Sequence, residues 1–292
     1  MPTPEVGSPI HCEERRSLVP RIRPVSHRPR YSPGVVEPRV LIIVPTLGQR
    51  PAELLESLIS IRDQDTPAHV IVVSPDIPEI VDMARANGAD WLRDPGSQTA
   101  AINAGIARAT HHEYVGWLND DDLLEPDSLT RTTIALESDP SSVLAYGACR
   151  YIDPQGQELW ISRAGKWAPR ILKWGPDLIP QPGMLVRRSA WEQVGGVDES
   201  MRFAFDLDLL LRIQSLGAFV DVGEVVSSFR WHAESLTVSD RTTSLRESEQ
   251  ARRRALSPTA RRLAWMWERP VRWATRMAAA EVSRRARRLT SH

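Results

Sequence analysis

Between residues 40 and 119, four short apolar runs alternate with segments of helical period, and few folds accommodate that order. "VLIIVP" (40–45), "HVIVVS" (69–74), "ADWLRD" (89–94) and "YVGWLN" (114–119) read as strands. The unbroken apolar character of the first marks a strand covered on both faces. "PAELLESLISIRDQ" (51–64), "IPEIVDMARANG" (77–88) and "SQTAAINAGIARAT" (97–110) read as helices. Pro51 suits a first-turn position, and Gly88 marks the end of the second helix. Such alternation predicts a parallel, doubly wound sheet, and in such sheets ligands bind just beyond the carboxyl ends of the strands.

At the end of the fourth apolar run, "WLNDDD" (117–122) sets three carboxylates side by side. Adjacent like charges repel, and each loses hydration near a sheet, so a bound cation is expected there. Hard divalent cations take carboxylate oxygens, and magnesium at substrate sites commonly uses one or two carboxylates with substrate phosphates. The alternative is an Asp-rich cap for the next helix that stays solvated. In "FAFDLDLLLRI" (203–213), Asp206 and Asp208 open an apolar helix. Asp206 could cap that helix or act as a general base tuned by partial burial. Arg212, one turn beyond Asp208, could pair with it. In "FRWHAESLT" (229–237), His232 is either structural or a ligand for a metal or phosphate.

Beyond Asp127 the alternation loosens. "VLAYGACRYID" (143–153) and "QELWIS" (157–162) predict a hairpin, "WAPRILKWG" (167–175) a short helix and "GMLVRR" (183–188) a strand. "SAWEQVGG" (189–196) predicts a helix with Ser189 as its N-cap and Gly195 as its stop. "DLDLLLRIQSLG" (206–217) predicts a helix, and "AFVDVGEVVSSFRWH" (218–232) one or two strands. Residues 240–292 read as helical with breaks at Pro258 and Pro270, and residues 1–38 as a flexible Pro/Arg-rich arm.

Charge balances at 37 basic and 37 acidic residues, which gives no argument for nucleic acid. The balance hides a segregation. All basic residues but Lys166 and Lys173 are arginine, and residues 252–288 hold twelve arginines against Glu268 and Glu281. Mixed with Trp, Met and Leu, those arginines make a basic amphipathic tail that could lie on an anionic membrane or pack on the domain. Cys12 and Cys149 are too few for a disulfide framework and lack metal-site spacing, which favours a reducing compartment. No run reaches the ~18–20 apolar residues of a membrane span. The expectation is a cytoplasmic protein, with a peripheral seat at the inner face of the membrane as an option. No G-x-G-x-x-G follows a strand, which counts against a dehydrogenase.

"VLIIVPTLGQR", "GSQTAAINAGIARATHHEYVGWLNDDDLL", "QPGMLVRRSAWEQVGGVDESMRFAFDLDLLLRI" and "FRWHAESLT" occur in that order. Together they resemble the family 2 glycosyltransferases of GT-A fold, and "GWLNDDD" is similar to the branch reading "GWLNsDD". The resemblance implies a GT-A domain over residues 39–240: a doubly wound, mostly parallel sheet with an antiparallel C-terminal part. Basic amphipathic C-terminal helices (241–292) would follow it. It implies an inverting, metal-dependent transferase that moves a sugar from a nucleotide-sugar donor, UDP-linked as a first guess, to a sugar, lipid-linked or other hydroxyl acceptor. Thr46, Asp76, Gln98, Asn103, Asn119, Asp120 and Asp122 match donor-side positions. Asp121 and His232 match ligands of a divalent cation, Mn or Mg, and Asp206 matches the catalytic base. Asn119 and Phe205 each replace an acid of the family pattern. A catalytically silent sugar-binding or scaffold protein is therefore the first alternative. A sugar-phosphate nucleotidyltransferase is the second, and it is disfavoured by the single Gly and missing Lys of "PTLGQRP".

Overall fold

The computed structural model describes residues 38–231 and 241–277, the latter without 267, 269, 272 and 274–276. Most of the expected arm (1–38), His232 and the expected boundary near residue 240 lie outside the described residues. Strands β1 (Val40–Pro45), β2 (Ala68–Ser74), β3 (Asp90–Arg93) and β4 (Tyr114–Trp117) alternate with helices α1 (Pro51–Arg62), α2 (Pro78–Ala86) and α3 (Gln98–Arg108). They pair in parallel in the order β3-β2-β1-β4. All six residues of β1 are buried. Leu41 and Ile43 enter the core on one face of the sheet, and Val40, Ile42 and Val44 the core on the other. That two-sided burial is why the run shows no alternation, and each such side chain contributes about 1.5–3 kcal/mol.

The helix starts follow local chemistry. Pro51 and Pro78 occupy first-turn positions of α1 and α2. The Ser97 hydroxyl accepts from the Ala100 N–H at 3.1 Å to cap α3. Gly105 lets α3 lie close on β1, since a Cβ there would stand 2.8 Å from Ile43.

After β4 come β5 (Leu123–Leu124), α4 (Ser128–Ser138), β6 (Ser142–Ile152), β7 (Glu158–Ser162), α5 (Ala168–Ile171), β8 (Leu185–Arg187), α6 (Arg188–Val194), α7 (Phe205–Ile213) and β9 (Ala218–Arg230). The sheet continues β4-β8-β6-β9-β5 with β7 on β6. Here β8 is antiparallel to both neighbours, whereas β9 runs parallel to β6. The hairpin forms as expected, and the segment 218–230 is one strand. Helices α8 (Arg241–Ala255) and α9 (Pro258–Leu263) follow, with Ala251 of α8 in the same core as α7.

Three expectations need correction. Ser189 lies inside α6, which starts at Arg188 without a side-chain cap. The buried Arg188 fixes that junction instead: its N–H donates to the Glu113 carbonyl (2.8 Å) and its guanidinium to those of His112 (2.5 Å) and Ala109 (2.7 Å). Among the described residues no break shows at Pro270, since Glu268, Pro270 and Val271 are helical. Nor do the motif aspartates cap α4. Asp127 stands at that N-cap position without a side-chain cap bond, and the motif lies further upstream.

Candidate active site

The chain leaves β4 through Leu118, whose N–H is held by the Ile43 carbonyl at 2.9 Å, and turns at Asn119. Each following aspartate has a different environment. Asp120 Oδ2 accepts from the Thr46 hydroxyl at 2.5 Å, and Thr46 Oγ1 accepts in turn from the Gly48 N–H at 2.9 Å. Burial pushes the Asp120 carboxyl up from its ordinary value, while the Thr46 bond opposes the rise. Asp121 pairs with the half-exposed Arg50. Asp122 is fully buried, accepting from Asn119 Nδ2 (2.9 Å) and from the Arg230 N–H (3.1 Å). Burial and the neighbouring Asp121 push its carboxyl well above the usual range.

Of the residues expected on the donor side, the structure brings Thr46, Gln98, Asn119, Asp120 and Asp122 together with Asp121. Gln98 donates to the Asn119 side-chain carbonyl at 2.9 Å and so orients the amide that holds Asp122. Asp76 lies two strands away at the end of β2, where it is exposed and paired with Arg93 at 2.7 Å. Asn103 is drawn elsewhere. Its Oδ1 accepts from the Val197 N–H (3.0 Å), and its Nδ2 donates to the Val197 carbonyl (3.0 Å) and to Glu199 (2.9 Å). Its amide is thus taken up in tying α3 to the turn between α6 and α7.

Two residues here were not visible in the sequence. Arg50, in the loop before α1, supplies the charge facing Asp121. Arg230, at the end of β9, is 3% exposed and locks that strand onto the motif. Its Nε donates to the Asp121 carbonyl (3.2 Å), its Nη1 to Pro154 (3.0 Å) and its Nη2 to Glu56 (2.5 Å).

The second acidic corner is joined to the first through Trp117. Phe205, which stands where the family pattern has an acid, packs 6.0 Å from the Trp117 ring, and Trp191 packs edge-on at 6.2 Å. Such aromatic pairs contribute about 0.5–1.5 kcal/mol beyond their burial. Gln181 adds a bond to the Trp117 carbonyl at 2.9 Å. Asp206 follows Phe205 in α7. Its Oδ1 accepts from the Leu207 N–H at 2.7 Å, and burial pushes its carboxyl up to about 6. Asp177 lies beside it and no sequence signal marked it. Burial first, then the charge of Asp206, push Asp177 up to about 7, against opposing contributions from the Ile179 N–H and Arg252. Asp208 does pair with Arg212, at 2.7 Å.

This arrangement can bind an anion through a cation held at Asp121, and can accept a proton at Asp206. The donor set near Asp121 is all oxygen, which suits a hard divalent ion, and the Arg50 guanidinium shows that the position takes positive charge. Among the described residues, no group of three or more His, Cys, Asp or Glu is arranged to hold a metal.

A family model described as "Glycosyltransferase like family 2" matches residues 41–255. The O-antigen biosynthesis protein RfbC of Myxococcus xanthus is 30% identical over 164 residues, which is 56% of this chain and 12% of that protein. A chondroitin synthase of Pasteurella multocida is 24% identical over 51% of this chain and 15% of its own length. The chain thus spans under a sixth of these longer relatives. Among solved structures, S. aureus TarS 1–349 in complex with UDP-GlcNAc superposes with a TM-score of 0.57 at 16% identity, covering 74% of this chain and 65% of that one. Mannosyltransferase PcManGT of Pyrobaculum calidifontis, in complex with GDP-Man and Mn2+, gives 0.57 at 19% identity, covering 87% and 79%. Both likenesses concern the fold. On the extent of the family match, with the aspartate motif at the end of β4, the chain belongs to the glycosyltransferase-like family 2.

Proposed function

We propose that this chain is an inverting glycosyltransferase that moves a sugar from a nucleoside diphosphate sugar to an acceptor hydroxyl. One observation carries the reading: Trp117 joins a carboxylate cluster suited to a cation–diphosphate complex to a second, proton-accepting carboxylate on α7. Asp121, with His232, would hold the divalent cation. A cation held there would supply Lewis-acid stabilisation of the charge that grows on the leaving diphosphate. Thr46 and Asn119 fix the neighbouring carboxylates, and Arg50 beside Asp121 would add positive charge for the diphosphate. Asp206 takes the proton of the acceptor hydroxyl as its oxygen bonds to C1, opposite the breaking bond to the diphosphate oxygen. A single displacement of this kind inverts the anomeric centre.

Support for a cell-envelope or other polysaccharide acceptor comes from the names of the relatives. The exposed C-terminal side chains support a site at a membrane surface. Trp265 (65% exposed), Met266, Trp273 (67%) and Met277 follow the arginines of α8 and α9. A basic face with exposed Trp and Met suits the interface of an anionic bilayer. No described helix is long and apolar enough to cross one. Binding to anionic liposomes is expected, abolished by high salt and by removal of residues 258–292; binding that survives the truncation refutes it.

The test of the activity is release of nucleoside diphosphate from UDP-GlcNAc and GDP-mannose with manganese. The expected result is release from a nucleotide sugar that disappears in Asp121→Ala. A folded protein that releases nothing from any nucleotide sugar would instead support the silent, sugar-binding alternative.

A further inference from the structure

Helix α8, "RTTSLRESEQARRRA", is almost wholly polar, yet it packs on α7. Three residues at i, i+4 and i+7 on one face make that contact. Ala251 enters the core at 1% exposure. Arg254 reaches Asp198 at 2.7 Å and Asp208 at 3.6 Å. Glu247 turns its carboxylate onto the chain entering α7. It accepts from the N–H groups of Arg202 (3.1 Å to each oxygen), Phe203 (2.7 Å) and Ala204 (3.0 Å). Successive backbone N–H groups of this kind form a concavity that binds an anion, and the start of a helix favours negative charge. The residue at the N-cap position, Ala204, has no side chain that could serve instead.

We propose that Glu247 is a positioning residue for the transfer reaction, holding the entry to α7 and hence the Asp206 carboxylate in the orientation in which it meets the acceptor hydroxyl. The inference rests on Asp206 being the base. Asp206 is the second residue of α7, so a shift of the 202–204 backbone displaces it directly. A misplacement of about 1 Å can reduce rate about 10²-fold.

The charge of Glu247 has a second effect. It adds to burial in raising the Asp206 carboxyl to about 6. The other groups facing this point are Asp177, from the segment before β8, and Arg252 of α8, whose buried Nε has no hydrogen-bond partner and whose charge opposes the rise of Asp177. Asp208, on α7 itself, is neutralised by Arg212 and Arg254. A base titrating near the working pH is well matched to proton transfer. The polar helix α8 therefore places Asp206 and adds, behind burial, to its raised value.

The test compares Glu247→Gln, which keeps an oxygen for the amides but drops the charge, with Glu247→Asp, which keeps the charge and shortens the reach. Titration of aspartate side-chain carboxyl carbons by NMR, with Asp206 assigned by its loss in Asp206→Asn, needs no substrate. Turnover of UDP-GlcNAc with manganese is followed in parallel. In Glu247→Gln the Asp206 midpoint is expected to fall, the acid limb of kcat/KM to move to lower pH with it, and kcat to fall by up to about 10²-fold at unchanged donor KM. Glu247→Asp should hold the midpoint near that of the wild type. An Asp206 midpoint and a kcat that both stay put in Glu247→Gln overturn the proposal and leave Glu247 as a structural tie. Full turnover in Asp206→Asn would instead defeat the base assignment, so the two failures are separable.

Discussion

The acidic groups at the end of β4 and those at the start of α7 are handled in opposite ways. In the first corner three adjacent carboxylates have separate partners: a hydroxyl for Asp120, a guanidinium for Asp121, and an amide with a backbone N–H for Asp122. In the second, burial raises Asp206 to about 6, and burial with the charge of Asp206 raises Asp177 to about 7, with one partly buried arginine nearby. The first corner suits the stabilisation of charge that stays in place. The second suits a proton that comes and goes, because each carboxyl there is held near neutral pH. Burial raises carboxyls in both corners, so it is the partners that separate the roles.

The largest effect expected is on the proton-accepting corner. Asp206→Asn should lower kcat about 10²–10⁴-fold, the usual worth of general-base assistance, while nucleotide binding persists. A loss of nucleotide binding in that variant would merge the two corners and break the distinction.

Next comes a contrast inside the first corner. Asp122→Ala strands the Asn119 amide and the Arg230 N–H in a buried place, at about 1–3 kcal/mol for each unsatisfied group, so denaturant unfolding should show a loss of about 2–6 kcal/mol. Asp121→Ala removes a pair with a half-exposed arginine, and such pairs contribute about 0–1 kcal/mol. Equal losses in the two variants would remove the difference between the structural and the binding aspartate.

The smallest effect sharpens the second corner. The folded-state value of Asp177 is raised to about 7, so the folded form binds more protons than the unfolded chain between about pH 4 and 7, and this carboxyl makes the fold less stable as pH rises through that window. Asp177→Asn should therefore raise the Tm at pH 8, with the gain vanishing by about pH 4. A gain independent of pH would place the effect in packing rather than in charge.

Much of the corner at the end of β4 was legible in the chain. Two-sided burial of β1 and β4 leaves continuous apolar runs, and a strand end is where a doubly wound sheet puts its ligand, so "WLNDDD" pointed at itself. The corner at the start of α7 was half legible: Asp206 and Arg212 could be picked out on α7, whereas Asp177 sits in an irregular segment and gains its meaning only from a neighbour 29 positions later. Glu247 is one of several acids and arginines in a helix without an apolar stripe, and periodicity says nothing of which polar residue finds a backbone to bind. Asn103 shows the reverse error. A polar residue on a well-placed helix matched the donor side, but the turn at 197–199 competed for its amide and won. Ser189 lost its cap to tertiary bonds from Arg188 for the same reason.

The most direct test of the central claim, a cation–nucleotide site at Asp121, is thermal unfolding of wild type and Asp121→Ala with UDP, dTDP, GDP and CMP, each with and without manganese. A nucleotide at 100 times its Kd stabilises a fold by about 2.7 kcal/mol. Stabilisation is expected with one nucleoside diphosphate, only with manganese and only in the wild type. Stabilisation of equal size in Asp121→Ala, or none with any nucleotide in either protein, would contradict it.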